Sequence, residues 1–278
     1  MKKIIVAFLS VISLVFLMIV FYAFFSNLET ENIIFTHKTA EAKGDKLIIL
    51  RANTIGKNLS LEFFSINAGQ KSKLLGSYGE YSLRAIYPLL KLDEKNNSYI
   101  NAAFSYSLRI LVKQVIALER VPEIESQSQV KQLFLDLCLD RYGKISFEDK
   151  FKLLRLLFRV DNLAVEVENI DKPEELNLDE DSAGCSVSLI NTTQKNGLGR
   201  DMANLIEKNG FRVVKIDDDS ETREESMVIL ARNESNCKEL SGLLYTILPS
   251  DKKPKFDESL FSQYRADIVV LLGTDLLD

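Results

Sequence analysis

The chain has 278 residues, 46% hydrophobic and 27% charged, with a formal net charge of -5. This is the balance of an ordinary globular protein, and its acidic excess gives no support to nucleic-acid binding. Three cysteines, Cys138, Cys185 and Cys237, are too few and too scattered for a disulfide framework or a zinc site with C-x-x-C spacing, and they read as buried free thiols, with a Cys185 to Cys237 bridge left open for an oxidising compartment.

Lys2 and Lys3 precede a near-unbroken apolar run from Ile4 to Phe25, interrupted only by Ser10 and Ser13. As a helix rising about 1.5 Å per residue, the run reaches roughly 33 Å, enough for a hydrocarbon core of about 30 Å. Residues 1–26 are therefore predicted to be a cytoplasmic start and transmembrane anchor. A cleaved signal peptide shares the charged start, but its apolar centre is usually about 7 to 15 residues long and a small-x-small site should follow; Tyr22-Ala-Phe-Phe-Ser26 supplies none. The two lysines place the N-terminus in the cytoplasm by the positive-inside rule, so the sequence predicts a single-pass cell-membrane protein with its bulk outside the cytoplasm.

Residues 27–44 read as a polar stalk, and His37, the only histidine, is expected there as a solvated residue. Two β-prone runs, Asp45 to Arg51 and Leu59 to Ile66, flank a turn at Gly56-Lys-Asn58 and predict a hairpin. Phe104, Leu108, Leu111, Val112 and Val115 fall on one helical stripe, predicting a helix that closes before Pro122. On that helix Ser105, Arg109 and Lys113 share a face, and with Arg84 on the segment Tyr81 to Tyr87 they form a candidate lipid-phosphate site, although exposed helix faces are ordinarily charged. A second helix buries Val130, Leu133, Phe134 and Leu137 and stops near Gly143. A third opens at Ser146-Phe-Glu-Asp149, buries Phe151, Leu154 and Phe158, and leads to a closing strand from Leu163 to Val167. Residues 45–170 thus read as an α/β layer.

Several short segments of this half resemble the LytR-CpsA-Psr envelope enzymes. Phe64-Ser-Ile66 matches the family's strand end, Ile100-Asn-Ala-Ala-Phe104 its helix start, Leu111-Val-Lys113 its helix body and Val121-Pro122 the helix exit. The resemblance implies transfer of glycopolymer from a polyprenyl-pyrophosphate carrier to peptidoglycan, with arginines on the pyrophosphate and aspartates on a magnesium ion. The chain departs where that chemistry sits. Asn67-Ala-Gly69 replaces the family's Pro-Arg-Asp, Tyr99 replaces its lysine, and only Asp45 matches a proposed metal ligand. Phosphoryl transfer needs several negative charges compensated together, so a degenerate, non-catalytic relative is expected, with no catalytic residue and no cofactor. Under the alternative of a surviving phosphotransferase, Asp45 would hold magnesium, and Asp45, Arg51, Arg84 and Arg109 would have to converge on one cavity.

Residues 171–184 carry six carboxylates and read as an acidic linker; the ordered spacing of a calcium loop is absent. Residues 185–278 show a strand at Val187 to Ile190, a helix with Leu198, Met202, Leu205 and Ile206 closed by Asn209-Gly210, strands Phe211 to Ile216 and Met227 to Ala231, a helix with Cys237, Leu240, Leu244, Ile247 and Leu248, and a strand Ala266 to Leu272. The order β-α-β-β-α-β predicts a compact sheet with both helices on one face in a split βαβ arrangement. Gly197-Leu-Gly199 is expected to be a tight turn, since the further residues of a phosphate loop are missing.

Val187-Ser-Leu-Ile-Asn-Thr-Thr193, Gly197-Leu-Gly199 and Ala266-Asp-Ile-Val-Val-Leu-Leu-Gly273 resemble the LytR C-terminal domain, an extracytoplasmic module, with Thr192 in place of the family's turn glycine. The whole sequence therefore predicts an N-terminal transmembrane helix, a degenerate α/β domain and a small C-terminal β-α-β-β-α-β domain. The expected role is a non-catalytic cell-envelope protein in wall-polymer attachment, scaffolding or recognition, beside a bilayer and with peptidoglycan, lipid-linked glycopolymer or envelope proteins as partners. A signalling module that binds protein through its C-terminal sheet is a further alternative.

Overall fold

The computed structural model describes residues 31–39, 46–55, 58–75, 78–122, 124, 127–159, 165–170, 185–232, 237, 241–242, 244–245, 247–248 and 254–277. The sequence-predicted anchor, Asp45 and the acidic linker lie outside these residues, as do most of residues 38–45. No helix among the described residues is long and apolar enough to cross a membrane.

The first unit is a five-stranded sheet between two pairs of helices. Its strands are β1 (Glu31–His37), β2 (Lys46–Ile55), β3 (Asn58–Asn67), β6 (Val112–Leu118) and β7 (Val165–Ile170), in the order β6-β1-β2-β3-β7. The hairpin read from sequence is β2 and β3, antiparallel, with Ile48 opposite Ser65 and Ile55 opposite Asn58. Alternation along β2 sends Leu47 and Ile49 to one face and Ile48 and Leu50 to the other, and both faces are covered. Helices α1 (Leu83–Leu92) and α2 (Asn97–Leu108) cover the first face; α3 (Gln127–Cys138) and α4 (Phe147–Arg159) cover the second. A small ribbon, β4 (Lys71–Lys73) with β5 (Glu80–Ser82), leads into α1.

Four expectations for this unit are corrected. The segment read as a stalk contains β1, an interior strand pairing antiparallel with β2 and parallel with β6. Ile33, Ile34 and Phe35 are almost fully buried there, so three consecutive apolar residues outweigh the polar average of their neighbours. His37 is buried rather than solvated, with its Nε2 3.2 Å from the Lys46 carbonyl. The single stripe from Phe104 to Val115 is two elements: α2 stops at Leu108, Arg109 takes a left-handed conformation at φ 57°, and the chain continues as β6. A helical and an extended segment in succession mimicked one period because the turn spans few residues. In α4, Leu153 and Leu156 are buried while Phe151 and Leu154 are only half-buried. Its start agrees with the sequence, since the Asp149 N–H donates to Ser146 Oγ at 3.1 Å. The face of α3 also agrees: Val130, Leu133, Phe134 and Leu137 are all buried.

The second unit is a five-stranded sheet in the order β11-β10-β12-β8-β9, from β8 (Ser186–Asn191), β9 (Arg212–Asp218), β10 (Met227–Leu230), β11 (Lys255–Phe256) and β12 (Ile268–Leu272). Helix α5 (Leu198–Lys208) and the helical residues Cys237, Leu244 and Ile247 bury against Val187, Leu189, Val228, Ile268 and Val270. Both sequence-predicted helices therefore share a face. The opposite face, with Ile190, Ile229, Val269 and Leu271, is covered by α6 (Ser259–Tyr264), a helix that the sequence reading passed over. The crossover is not split, since β8 and β9 are hydrogen-bonded parallel neighbours and β12 inserts between β8 and β10. Asn209-Gly210 ends α5 with Gly210 at φ 81°, and Gly197 starts it at φ 85°, a left-handed turn that favours glycine. Thr192 stands where the resemblance has a turn glycine, and its hydroxyl donates to the Leu272 carbonyl at 2.7 Å.

Candidate functional site

The two units share one buried cluster, which runs from the α1 and α2 side of the first sheet to the α5 side of the second. Asn209, at the end of α5, joins them most directly. Its Oδ1 accepts from the Leu111 N–H at 3.1 Å, and its Nδ2 donates to the carbonyls of Leu205 at 2.7 Å and Arg109 at 3.3 Å. The Leu111 carbonyl in turn accepts from Asn32 Nδ2 at 2.9 Å. One peptide segment after α2 is thus held by the first sheet on one side and by the second unit on the other. Side-chain amides suit such a junction because each offers a donor and an acceptor to backbone groups that no ladder pairs.

Beside this joint lies a cleft of about 400 Å³, with β4 and β5 on one wall, the C-terminal end of α2 on another and α5 on the third. Tyr106 crosses it and donates from its hydroxyl to Asp201 Oδ2 at 2.5 Å, while Lys73 Nζ stands 3.5 Å from the same oxygen. Burial, then the hydrogen bond and the charge of Asp201, hold the Tyr106 phenol well above the ordinary tyrosine range. Ser72 Oγ donates to the Ser107 carbonyl at 2.8 Å and Ser107 Oγ donates to the Lys73 carbonyl at 3.2 Å, fixing β4 to the end of α2. Arg109 completes this end of the cleft. An ammonium nearby, on Lys195, is held below the usual lysine range, first by burial and then by repulsion from Lys73, with Asp201 opposing.

The residues picked from sequence do not assemble as expected. Ser105 is fully buried; its Oγ donates to the Asn101 carbonyl at 2.8 Å and accepts from the Val112 N–H at 2.9 Å, locking the turn from α2 into β6. Arg109 lies in that turn and lines the cleft. Lys113 is the extra residue of a bulge in edge strand β6, where Asn32 faces Val112 and Ile33 faces Gln114. The common helix face on which Ser105, Arg109 and Lys113 were grouped therefore does not exist. Arg84 sits in the first turn of α1, its backbone N–H donating to the Ala68 carbonyl at 2.9 Å, and it is not in the cleft wall. Arg51 is buried on β2, 3.5 Å from Glu62. The three arginines thus do not meet in one cavity. Among the described residues no group of three His, Cys, Asp or Glu side chains could hold a metal ion, and Asp45 lies outside them.

Lys71, Lys73, Tyr106 and Asp201, which line the cleft, and Asn209, which makes the joint beside it, were missed from sequence as site residues. Asn209 was visible only as a helix stop. The others lie on elements too short or too far apart in the chain for any local period to join them.

Cys185 and Cys237 are both buried and form a disulfide with Cα atoms 5.6 Å apart, tying the first residue of the second unit to a helix behind its sheet. This corrects the reading of Cys185 and Cys237 as free thiols in favour of the bridge left open, while Cys138 is free and half-buried.

Residues 185–276 match the family model described as "LytR cell envelope-related transcriptional attenuator". The match covers the second unit and does not extend to the first. No curated protein and no solved structure matches the chain.

Proposed function

We propose that the LytR C-terminal domain carried by residues 185–276 serves a membrane-anchored, extracytoplasmic cell-envelope protein that binds or scaffolds wall polymer and catalyses no phosphoryl transfer. The family match over the second unit carries this reading. The Cys185–Cys237 disulfide supports it, because such bonds persist in oxidising compartments and are rare where thiols are kept reduced. The apolar run from Ile4 to Phe25, behind Lys2 and Lys3, supplies an anchor of membrane-spanning length. The reading without phosphotransfer rests on charge. Arg51 is neutralised by Glu62, Arg84 stands on another element from Arg109, and Asn67-Ala-Gly69 offers neither cation nor carboxylate. A pyrophosphate there would meet the Arg84 guanidinium, which lies against Gly69, without the arginine and aspartate that the resemblance implies in that segment.

The test is cosedimentation of the detergent-solubilised full chain with purified peptidoglycan sacculi carrying their attached polymers, run beside a polyprenyl-pyrophosphate transfer assay. Retention with the sacculi and no transferred polymer is expected. Transfer that depends on magnesium would replace this reading with the enzyme one, and absence of retention would remove the wall-binding role. Access of an impermeant protease to residues beyond 30 in intact cells tests the orientation.

A further inference from the structure

The second sheet has one long open edge. Among the described residues β9 pairs with β8 alone, while the opposite edge, β11, is two residues long. Every residue of β9 but Val213 is exposed, including the apolar Val214 at 38% and Ile216 at 47%. The Asp219 N–H donates to the Asn191 carbonyl at 2.9 Å. By the two-residue alternation of a strand, Asp217 and Lys215 therefore also turn their backbone groups to β8, and Ile216 and Asp218 turn theirs outward. Such a row is a template for a further strand unless its side chains repel one. Here the side chains discriminate. Lys215 and Asp217 share the α6 face, with Lys215 Nζ 2.8 Å from Asp217 Oδ2 and 5.6 Å from the centre of the Tyr264 ring. Ile216 lies on the α5 face, where a Cβ at Gly199 would stand 3.0 Å from its Cγ2. Val214 is the extra residue of a bulge, since Val213 faces Val187 and Lys215 faces Ser188.

We propose that β9 pairs with β9 of a second copy of the chain, antiparallel, about a two-fold axis through Ile216. Charge selects that register. An axis at Lys215, Asp217 or Asp218 would set the charge against its own copy, and one at Val214 would fall on the bulge. The axis at Ile216 sets Ile216 against Ile216 and places Lys215 of each copy opposite Asp217 of the other. The outward N–H and carbonyl of Ile216 then exchange both bonds with their equivalents, and the two ion pairs fall at the non-hydrogen-bonded positions, where side chains stand closest. The acidic stretch Asp217 to Asp219 comes to lie toward the Arg212 end of the partner strand. A foreign strand would need this whole pattern, whereas a second copy supplies it by symmetry. The first unit stands clear of the edge: α5 turns Asp201, Leu205 and Asn209, one stripe at four-residue spacing, toward the first unit, and turns Gly199 to Ile216. The axis runs across the sheet, so both first units lie on its α5 side, as two chains anchored in one bilayer require. The inference uses the anchor reading above and is independent of the wall-polymer one.

Disulfide trapping of the full chain in lipid vesicles reads the register. In a Cys138→Ser background, chains carrying Lys215→Cys are mixed with chains carrying Asp217→Cys and oxidised. Across a non-hydrogen-bonded pair the Cα atoms stand about 4.5 Å apart, within bridging range, whereas position 215 would stand about 8 Å from its own equivalent. Covalent dimer is expected from the mixture, and at least ten-fold less from either variant alone. Energy transfer between labelled chains in the same vesicles reads the charges. Lys215→Asp should weaken association at least ten-fold, and the double variant Lys215→Asp, Asp217→Lys should restore it, because the swap again opposes unlike charges. Both side chains are exposed, so urea midpoints should stay near wild type and separate lost pairing from lost folding. Absence of energy transfer in the wild type, equal trapping in a single variant, or a swap that fails to rescue overturns the proposal. Hydrogen exchange names the other occupant: a protected Ile216 amide in a chain that stays monomeric would assign the edge to a segment of the same chain and also overturns it. The protease test of orientation is read separately, so failure of the anchor reading and failure of the dimer are distinguishable.

Discussion

Replacing Asn209 by alanine tests whether the two units stand as one body. The wild-type amide makes three hydrogen bonds, two of them to the segment Arg109 to Leu111, and it is buried along with Leu111. A net hydrogen bond contributes about 0.5 to 1.5 kcal/mol, and a buried donor left without an acceptor costs about 1 to 3 kcal/mol. The stranded Leu111 N–H is the larger of the two effects, because a methyl group provides no acceptor and the surroundings are apolar. Asn209→Ala should therefore destabilise the chain by about 2 to 4 kcal/mol, read as a fall in the urea midpoint. Hydrogen exchange gives the local signature: protection of the Leu111 amide should drop well below that of the β2 amides. Asn209→Asp keeps the acceptor for Leu111 while losing both donated bonds, and should restore part of that protection. A midpoint within about 0.5 kcal/mol of wild type, the usual range for a surface substitution, together with unchanged exchange at Leu111, would refute the idea that this side chain joins the units.

Other outcomes follow from single features. Replacing Cys185 and Cys237 together by serine opens a loop of 52 residues, and chain-entropy reasoning puts the loss at about 4 kcal/mol; reductant on the wild type should lower the urea midpoint in the same direction. Gly273→Ala should be at least as damaging to the second unit as a typical overpacked core, about 1 to 3 kcal/mol or more, because a Cβ there meets the Glu225 carbonyl carbon at 2.4 Å and the Ser226 nitrogen at 2.6 Å, both backbone atoms. Tyr106 should make stability fall at alkaline pH. Burial and Asp201 raise its folded pKa, so its contribution is complete below the ordinary tyrosine value of about 10 and is lost as pH rises from there toward the folded value. Urea midpoints measured from pH 8 upward should show a shallower alkaline decline in Tyr106→Phe than in wild type.

The second unit was largely legible because its elements are short, strongly periodic and punctuated. Asn209-Gly210 stops a helix, the continuous apolar run of β12 marks a strand buried on both faces, and Ala266 to Gly273 carries the family resemblance. The first unit was legible where the same conditions hold, at the β2–β3 hairpin and at α3. It was misread from Phe104 to Val115, where apolar residues at helical spacing continue across the left-handed turn at Arg109. Local period counts apolar positions, whereas the element boundary is set by Ser105 and Asn101 taking up the backbone groups of the next strand.

The sequence by itself determined a spanning-length apolar start, the hairpin and most elements of the second unit with both its main helices on one face. These depend on neighbours within about ten residues, the reach of periodicity and caps. Only the tertiary structure decided that Glu31–His37 is an interior strand, that β8 and β9 are adjacent, that Arg109, Lys71 and Asp201 line one cleft, and that Asn209 joins the two units. Each of these is a pairing between residues distant in the chain, chosen by which polar groups remain to be satisfied once the core is buried, and no local pattern carries that choice.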